Sequence, residues 1–165
     1  MISDSLREKA SRIKLIVTDI DGVWTDAKMY YTTEGELMKA FSTYDGMAVY
    51  LLKQAGIPTA IITGENSGPV AARARKLQIE DVHLGISDKL EVFESLLKKY
   101  KLSAEEVAFI GDDVNDYSVM QVAGLSAAPS NTPVFHILKP DLLLERSGGE
   151  GAFRELADII LASKD

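Results

Sequence analysis

The sequence predicts an α/β fold in which a central parallel sheet carries helices on both faces. Short apolar, β-branched runs alternate along the chain with segments of helical period, and turn residues separate the two kinds of segment. Such alternation gives strands joined by crossover helices, and hence a parallel sheet. The 165 residues, of which 46% are apolar and 26% charged, suit one compact core. We therefore expect a single Rossmann-like domain over residues 1–165.

The individual elements follow from these patterns. The expected strands are short apolar runs at residues 14–18, 58–62, 82–84, 107–110 and 125–128. The expected helices lie at residues 46–54, 69–77, 88–100, 115–122 and 151–162. Ser67 and Ser87 are the predicted N-caps of the second and third helices, and Gly56 follows the first.

One segment departs from this alternation. Residues 28–41 contain two short runs of strand character around Thr33-Glu34-Gly35, which is typical of a tight turn. We expect a β-hairpin flap that projects after the first strand.

The charge and composition of the chain argue against several classes of function. A net charge of −7 disfavours nucleic acid as a partner, because such binding relies on a basic surface. No apolar run approaches the roughly 20 residues that span a bilayer, and the first residues lack the pattern of a signal peptide. We therefore expect no membrane partner and a cytoplasmic location. The absence of cysteine excludes a thiolate metal site and a cysteine nucleophile.

Acidic residues follow two of the expected strands. Asp19 and Asp21 come directly after the first, and residues 111–116, Gly-Asp-Asp-Val-Asn-Asp, follow the fourth. The carboxyl ends of parallel strands meet at the edge where such sheets bind ligands. Carboxylates so close together repel one another unless a cation neutralises them, and Mg²⁺ prefers oxygen ligands of this kind. The pattern indicates a Mg²⁺ site.

Groups that bind phosphate are expected at the same edge. Thr63 and Gly64 end the second strand, and Lys89 lies in the first turn of the helix after the third. A hydroxyl, a backbone N–H and an ammonium are donors for phosphoryl oxygens. Together with a metal site they favour phosphoryl transfer, which depends on positioning and on neutralising charge.

These residues, in this order, resemble the four motifs of the haloacid dehalogenase superfamily. The resemblance implies that Asp19 is the nucleophile and a metal ligand. Asp21 would protonate the leaving alcohol, then activate water, and give the metal its backbone carbonyl. Asp112 would be a further metal ligand, and Thr63 and Lys89 would bind the phosphoryl group. The resemblance also places Asp113, Asn115 and Asp116 around these ligands.

The spacing of the motifs leaves no room for the cap domain that many members carry. Only 41 residues separate Asp21 from Thr63, and 25 separate Thr63 from Lys89. The chain is similar to a capless branch of phosphatases that act on phosphorylated 3-deoxy-ulosonic acids. That similarity implies a homotetramer in which a neighbouring subunit covers each site, with the glycine-rich C-terminal segment, residues 146–165, reaching toward an adjacent site.

The position after Thr63-Gly64 bears on the substrate. Members that act on the eight-carbon octulosonate 8-phosphate carry an arginine there, whereas this chain has Glu65. Glu65, with Arg73 and Lys76 on the next helix, resembles the sister enzymes that act on 9-phosphates of deaminoneuraminate and N-acetylneuraminate. Arg73 and Lys76 lie three residues apart, on one helical face, and we expect them to bind a substrate carboxylate.

Two alternative functions stay open. A signalling receiver domain also arranges an aspartate, a threonine and a lysine around Mg²⁺, but it places the phosphorylated aspartate after strand three, where this chain has Leu84-Gly85. A non-catalytic phosphosugar-binding subunit would keep the fold without the two acids of the first motif. Both Asp19 and Asp21 are present.

Overall fold

The computed structural model describes residues 2–164, and it contains a six-stranded sheet, a two-stranded hairpin and flanking helices. The strands are β1 (Leu15–Thr18), β2 (Tyr30–Thr32), β3 (Gly35–Met38), β4 (Thr59–Ile62), β5 (Asp81–His83), β6 (Val107–Ile110), β7 (Leu125–Ala128) and β8 (Leu142–Leu143). The helices are α1 (Asp4–Ser11), α2 (Thr43–Gln54), α3 (Gly68–Lys76), α4 (Lys89–Tyr100), α5 (Tyr117–Val122), α6 (Phe135–Leu138) and α7 (Ala152–Ala162).

The large sheet is parallel throughout, with the strand order β5-β4-β1-β6-β7-β8. The chain runs from β1 through β4 to β5 at one edge and then crosses to β6 on the other side of β1. The strand order therefore reverses around β1, and in open sheets of this kind ligands bind beyond the carboxyl ends of the strands at such a point. The expected α/β fold with a central parallel sheet is confirmed.

Helices cover both faces of the sheet because successive strand residues point to opposite sides. Ile16 and Ile61 lie in the hydrophobic cluster that α1, α2, α3 and α7 cover. Val17 and Phe109 lie in a second cluster, covered by α4, α5 and α6. All four residues of β1 are buried, as a central strand between two helical layers requires.

The hairpin of β2 and β3 forms its own antiparallel sheet after β1. Gly35 has φ +116°, a left-handed value that favours glycine, and the Thr32 hydroxyl accepts a hydrogen bond from the backbone N–H of Glu34 at 3.1 Å. Its three β2 residues are exposed. The hairpin therefore projects from the sheet, as the sequence predicts.

Several boundaries differ from those expected. Asp88, not Ser87, caps α4, because its carboxylate accepts a hydrogen bond from the backbone N–H of Glu91 at 3.1 Å. Helix α2 begins three residues early because the hydroxyl of Ser42 caps it. The helix expected from residue 115 begins at Tyr117, after a 3₁₀ turn at Val114–Asp116.

Apart from short 3₁₀ turns, the elements of residues 2–164 that were not predicted are α1, α6 and β8. Helix α1 is mainly polar, and Ala10 is its one buried residue, so the apolar periodicity that identifies a helix is weak there. Strand β8 has two residues at the sheet edge, too few for a recognisable pattern. A bilayer crossing would need a longer and more hydrophobic helix than any between residues 2 and 164.

Candidate active site

Asp19 and Asp21 lie where β1 ends and the chain turns. The backbone N–H of Asp19 donates to the carbonyl of Ile110 at 3.0 Å, so the pairing of β1 with β6 extends to Asp19 and fixes its position. Asp19 is buried, whereas the side chain of Asp21 is 22% exposed. The loop then folds back, and the N–H of Trp24 donates to the carbonyl of Ile20 at 2.9 Å.

Glycines bring the loops after β1 and β6 unusually close together. Gly22 has φ +83°, and a Cβ atom there would lie 1.7 Å from Oδ2 of Asp112. A Cβ atom at Gly111 would lie 2.4 Å from Cγ of Asp116. Any side chain at either position would therefore displace a carboxylate of the site.

Lys89 links the acids of the two loops. It is the first residue of α4, and its Nζ lies 2.9 Å from Oδ1 of Asp19 and 2.7 Å from Oδ1 of Asp116. All three side chains are almost completely buried. Lys89 can therefore neutralise charge at Asp19 without contact with bulk water.

Asp19, Asp112 and Asp116 have carboxylate oxygens within 4.8 Å of one another, which is close enough to hold a metal ion. Both oxygens of Asp116 are engaged, however. Oδ1 accepts from Lys89, and Oδ2 accepts from the backbone N–H groups of Asp112 and Asp113 at 2.9 and 3.3 Å. Its geometry therefore suits holding Lys89 and the loop after β6, so Asp19 and Asp112 are the two of the three that could offer an oxygen to a metal ion.

The electrostatics of this cluster fit a divalent cation. Burial, together with the charges of Asp116 and Asp112, raises the pKa of Asp19 well above its ordinary value, although Lys89 opposes the shift. Burial and Asp116 raise the pKa of Asp112 to about 7. Burial lowers the pKa of Lys89, but the two carboxylates beside it outweigh this and the net shift is upward. The positive charge of one ammonium does not balance the negative charge of three carboxylates. A hard cation that prefers oxygen ligands would offset the excess negative charge.

A cavity of about 250 Å³ opens above Asp19 at this edge of the sheet. Thr63 is buried at the end of β4, and its hydroxyl accepts from the backbone N–H of Glu65 at 3.4 Å. The residues that line the cavity include eight of those predicted for the site, together with two that were not predicted. They are Asp19, Asp21, Thr63, Gly64, Glu65, Asp112, Asp113 and Asn115, with Ala27 and Met29.

Arg73 and Lys76 do not line this cavity. The guanidinium of Arg73 turns toward the start of α2, where Nη2 donates to the carbonyl of Ser42 at 3.5 Å. A Cβ atom at Gly46 would lie 2.5 Å from the same nitrogen. Lys76 is exposed. The structure therefore does not bring these two basic residues together with the acids of their own chain.

The glycine-rich turn before α7 packs closely against another loop of its own chain. The backbone N–H of Gly149 donates to the carbonyl of Val23 at 3.1 Å, and a Cβ atom at Gly148 would lie 1.9 Å from the carbonyl oxygen of Gly22. Gly148 and Gly149 therefore pack against the loop of their own chain that carries Asp21. That residues 146–165 reach toward an adjacent site in an assembly stays a prediction.

Lys39 is a residue near the site that sequence reasoning missed. It follows β3, and its Nζ lies 2.5 Å from Oδ1 of Asp21 and 3.2 Å from Oε1 of Glu36. A lysine on a hairpin is ordinarily exposed, and its partner Asp21 lies 18 residues away in the sequence. The only signal was that Glu36 and Lys39 have opposite charges three residues apart.

A family model described as haloacid dehalogenase-like hydrolase matches residues 38–124. The 3-deoxy-D-manno-octulosonate 8-phosphate phosphatase KdsC of Yersinia pestis is 37% identical over 164 residues, which are 99% of this chain and 88% of that protein. A 3-deoxy-D-manno-octulosonate 8-phosphate phosphatase crystal structure from Yersinia pestis, 37% identical, gives a TM-score of 0.95 and covers 99% of this chain and 89% of its own. A Moraxella catarrhalis structure of that phosphatase, in complex with magnesium ion, phosphate ion and KDO molecule, is 36% identical, with a TM-score of 0.93 over 99% of this chain and 94% of its own.

Proposed function

The chain belongs to the haloacid dehalogenase-like hydrolases, in the family of the 3-deoxy-D-manno-octulosonate 8-phosphate phosphatases, and on this premise we propose that Asp19 is its nucleophile. It is a Mg²⁺-dependent phosphatase that hydrolyses a phosphorylated 3-deoxy-2-ulosonic acid through an aspartyl-phosphate. The observation that carries the assignment of residues is the meeting of Asp19, Lys89 and Asp112, all buried, at the carboxyl edge of the sheet.

The reaction takes place in two displacements at phosphorus. A carboxylate oxygen of Asp19 attacks phosphorus, the bond from phosphorus to the sugar oxygen breaks, and that oxygen takes a proton from Asp21. In the second step Asp21 accepts a proton from water, whose oxygen attacks the aspartyl-phosphate. The bond between phosphorus and Asp19 breaks, phosphate leaves, and both carboxyl groups return to their starting states.

The remaining residues hold the transferring group. The Nζ of Lys89 and the hydroxyl and neighbouring backbone N–H groups of Thr63 and Gly64 donate to phosphoryl oxygens. Asp19, Asp112 and the backbone carbonyl of Asp21 would hold the Mg²⁺. When bound, the cation supplies neutralisation of charge between these carboxylates and the phosphoryl oxygens.

Two sugar acids are candidate substrates. The relatives described above are phosphatases of 3-deoxy-D-manno-octulosonate 8-phosphate, which supports that compound. Glu65 lines the cavity and supports the nine-carbon 9-phosphates of deaminoneuraminate and N-acetylneuraminate as the second candidate. Its carboxylate accepts hydrogen bonds from sugar hydroxyls and repels the carboxylate of the sugar acid, so it favours one orientation of the sugar.

We further propose that the chain assembles as a homotetramer in the cytoplasm, with a neighbouring subunit covering each open site. The support is a set of large apolar side chains that are exposed on the hairpin and on α2, because exposed apolar surface that is contiguous marks interaction surfaces. They are Tyr30, Tyr31, Leu37, Met38, Tyr44, Met47 and Tyr50. In such an assembly, Arg73 and Lys76 would bind the carboxylate of a substrate that lies in the site of a neighbouring subunit.

The receiver and non-catalytic alternatives are not favoured, because Asp19 and Asp21 both follow the first strand and both line the cavity. The test of the proposed function compares kcat/KM for octulosonate 8-phosphate with that for the two 9-phosphates, with Mg²⁺ and after chelation. We expect phosphate release from at least one of them, lost on chelation and restored by Mg²⁺. Equal rates with and without the cation would contradict the proposal.

A further inference from the structure

The ammonium of Lys39 lies between the carboxylates of Asp21 and Glu36. Its distances are 2.5 Å to Oδ1 of Asp21 and 3.2 Å to Oε1 of Glu36, and its side chain is 0% exposed. Burial lowers the pKa of Lys39, but the two carboxylates outweigh this and the net shift is upward. Lys39 is therefore a buried cation in a charge-assisted network, unlike the exposed Lys28 on the same hairpin.

Lys39 is placed to act on Asp21 and not on the substrate. It does not line the cavity, whereas Asp21 does. Within residues 2–164, Oδ1 of Asp21 receives the hydrogen bond from Lys39 and Oδ2 receives none. Lys39 thus holds Oδ1 of Asp21, and Oδ2 remains available for proton transfer.

The network continues from Lys39 into the body of the domain. Oε1 of Glu36, the oxygen that binds Lys39, also accepts a hydrogen bond from the hydroxyl of Ser67 at 3.0 Å. Ser67 is buried and caps α3, accepting from the backbone N–H of Val70. The position of Lys39 is therefore fixed from two sides, by β3 of the hairpin and by the start of α3.

We propose that Lys39 is a positioning residue for Asp21, holding its carboxyl group in the orientation in which Oδ2 exchanges a proton with the leaving sugar oxygen and then with water. This inference rests on the proposed function, in which Asp21 carries out both transfers. Misplacing a proton-transfer group by about 1 Å can cost on the order of 100-fold in rate. A residue that acts in this way affects kcat and leaves substrate binding nearly unchanged.

The experiment compares a substrate that needs a proton donor with one that does not. Octulosonate 8-phosphate releases a poor leaving group that must be protonated, whereas 4-nitrophenyl phosphate releases a stable anion. For Lys39→Met we expect kcat with the sugar phosphate to fall about 10- to 100-fold at an unchanged KM. We expect the single-turnover rate of nitrophenolate release, which reports the first displacement alone, to stay within about 2-fold of the wild type.

The control is Lys28→Met, which removes an exposed lysine from the same hairpin and should match the wild type in both assays. A similar loss with both substrates, a raised KM, or an unchanged kcat for Lys39→Met would overturn the proposal. If Lys39→Met unfolds by circular dichroism, Glu36→Gln provides the test. We expect this variant to lose less kcat with the sugar phosphate than Lys39→Met would, and to keep the rate of nitrophenolate release. An equal loss with both substrates, or no loss, would count against the proposal. The wild-type rates report on the proposed function, whereas the ratio of variant to control reports on Lys39.

Discussion

Each carboxylate at this edge of the sheet has its own partners, and the partners distinguish the roles that we propose. Asp19 meets Lys89, Asp21 meets Lys39, and Asp116 has both oxygens engaged by Lys89 and by backbone N–H groups. Of the four acids Asp19, Asp21, Asp112 and Asp116, Asp112 is the one without a lysine partner among residues 2–164, and its pKa is raised to about 7. A cation that binds between Asp19 and Asp112 therefore binds where negative charge is least balanced.

Sequence reasoning identified the acids of this site but not their partners. Asp19, Asp21 and Asp112 follow strands that are apolar runs, so their position at the sheet edge follows from chain order. The pairing of Asp21 with Lys39 depends on how the hairpin folds back, and no local pattern encodes that. Arg73 shows the same limit of local patterns. Its helical spacing suggested a substrate-binding face, but its guanidinium packs toward Ser42.

Asp45 gives a prediction for the pH dependence of stability. Its side chain is completely buried, Oδ1 accepts from the backbone N–H of Arg154, and Oδ2 has no partner among the described residues. Burial raises its pKa from 3.8 to about 6, despite the nearby charges of Arg146, Arg73 and Arg154. The folded state thus keeps a proton that the unfolded chain releases. This contribution to stability is full below about pH 4 and is lost as the pH rises through about 6.

Asp45→Asn should remove this dependence, because Asn can accept the same hydrogen bond and carries no charge. We expect the free energy of unfolding of the variant to match that of the wild type near pH 4 and to exceed it by about 2–3 kcal/mol at pH 7.5. Urea denaturation at saturating Mg²⁺ measures the difference, and the comparison cancels the other titrating groups. A difference that does not change with pH would contradict the assignment.

The glycine-rich turn before α7 supports the loop after β1. A Cβ atom at Gly148 would lie 1.9 Å from the carbonyl oxygen of Gly22, and one at Gly22 would lie 1.7 Å from Oδ2 of Asp112, so three segments meet with no space for a Cβ atom at either glycine. Trp24 also holds this loop in place. Its Nε1 donates to the hydroxyl of Thr18, and its ring lies 5.0 Å from that of Phe153 in α7. The position of Asp21 therefore depends on α7, far from it in sequence.

Gly148→Ala should disturb the site although residue 148 does not line it. The added methyl group would lie 1.9 Å from the carbonyl oxygen of Gly22, and the loop must move. We expect a loss of about 1–3 kcal/mol in unfolding free energy and about 10- to 100-fold in kcat. Gly68→Ala is the matched control, because nothing lies within 4 Å of a Cβ atom there. Equal activities of the two variants would contradict the supporting role.

The elements that sequence predicted well are those whose local pattern and tertiary role agree. Strands β6 and β7 were predicted to the residue, since each is an apolar run buried on both faces. Helix α1 was missed because only Leu6 and Ala10 of its residues are apolar contacts with the core, which is too short a pattern to stand out in a mainly polar segment. The packing of residues 148 and 149 against the loop after β1 could not be predicted, because glycines adjacent in sequence indicate a turn but not the loop against which it packs.

The open cavity and the exposed apolar side chains of the hairpin and α2 together predict that the whole molecule assembles into a tetramer. If the exposed apolar side chains of the hairpin and α2 join subunits, the particle mass in light scattering should be four times the 18.0 kDa of one chain. Leu37→Lys, which places a charge at a residue that is 59% exposed, should shift the mass toward smaller species and lower activity. An active wild-type monomer would contradict the shared site.

Mass spectrometry of enzyme quenched in acid while it hydrolyses substrate tests whether Asp19 carries the phosphoryl group during turnover. We predict phosphate on the peptide that contains Asp19 in the wild type. With 4-nitrophenyl phosphate, whose leaving group needs no proton donor, we predict more of it in Asp21→Asn, where water is no longer activated. We predict none in Asp19→Asn, with its fold intact and its hydrolysis abolished. Phosphate on another residue, or full activity of Asp19→Asn, would contradict the account.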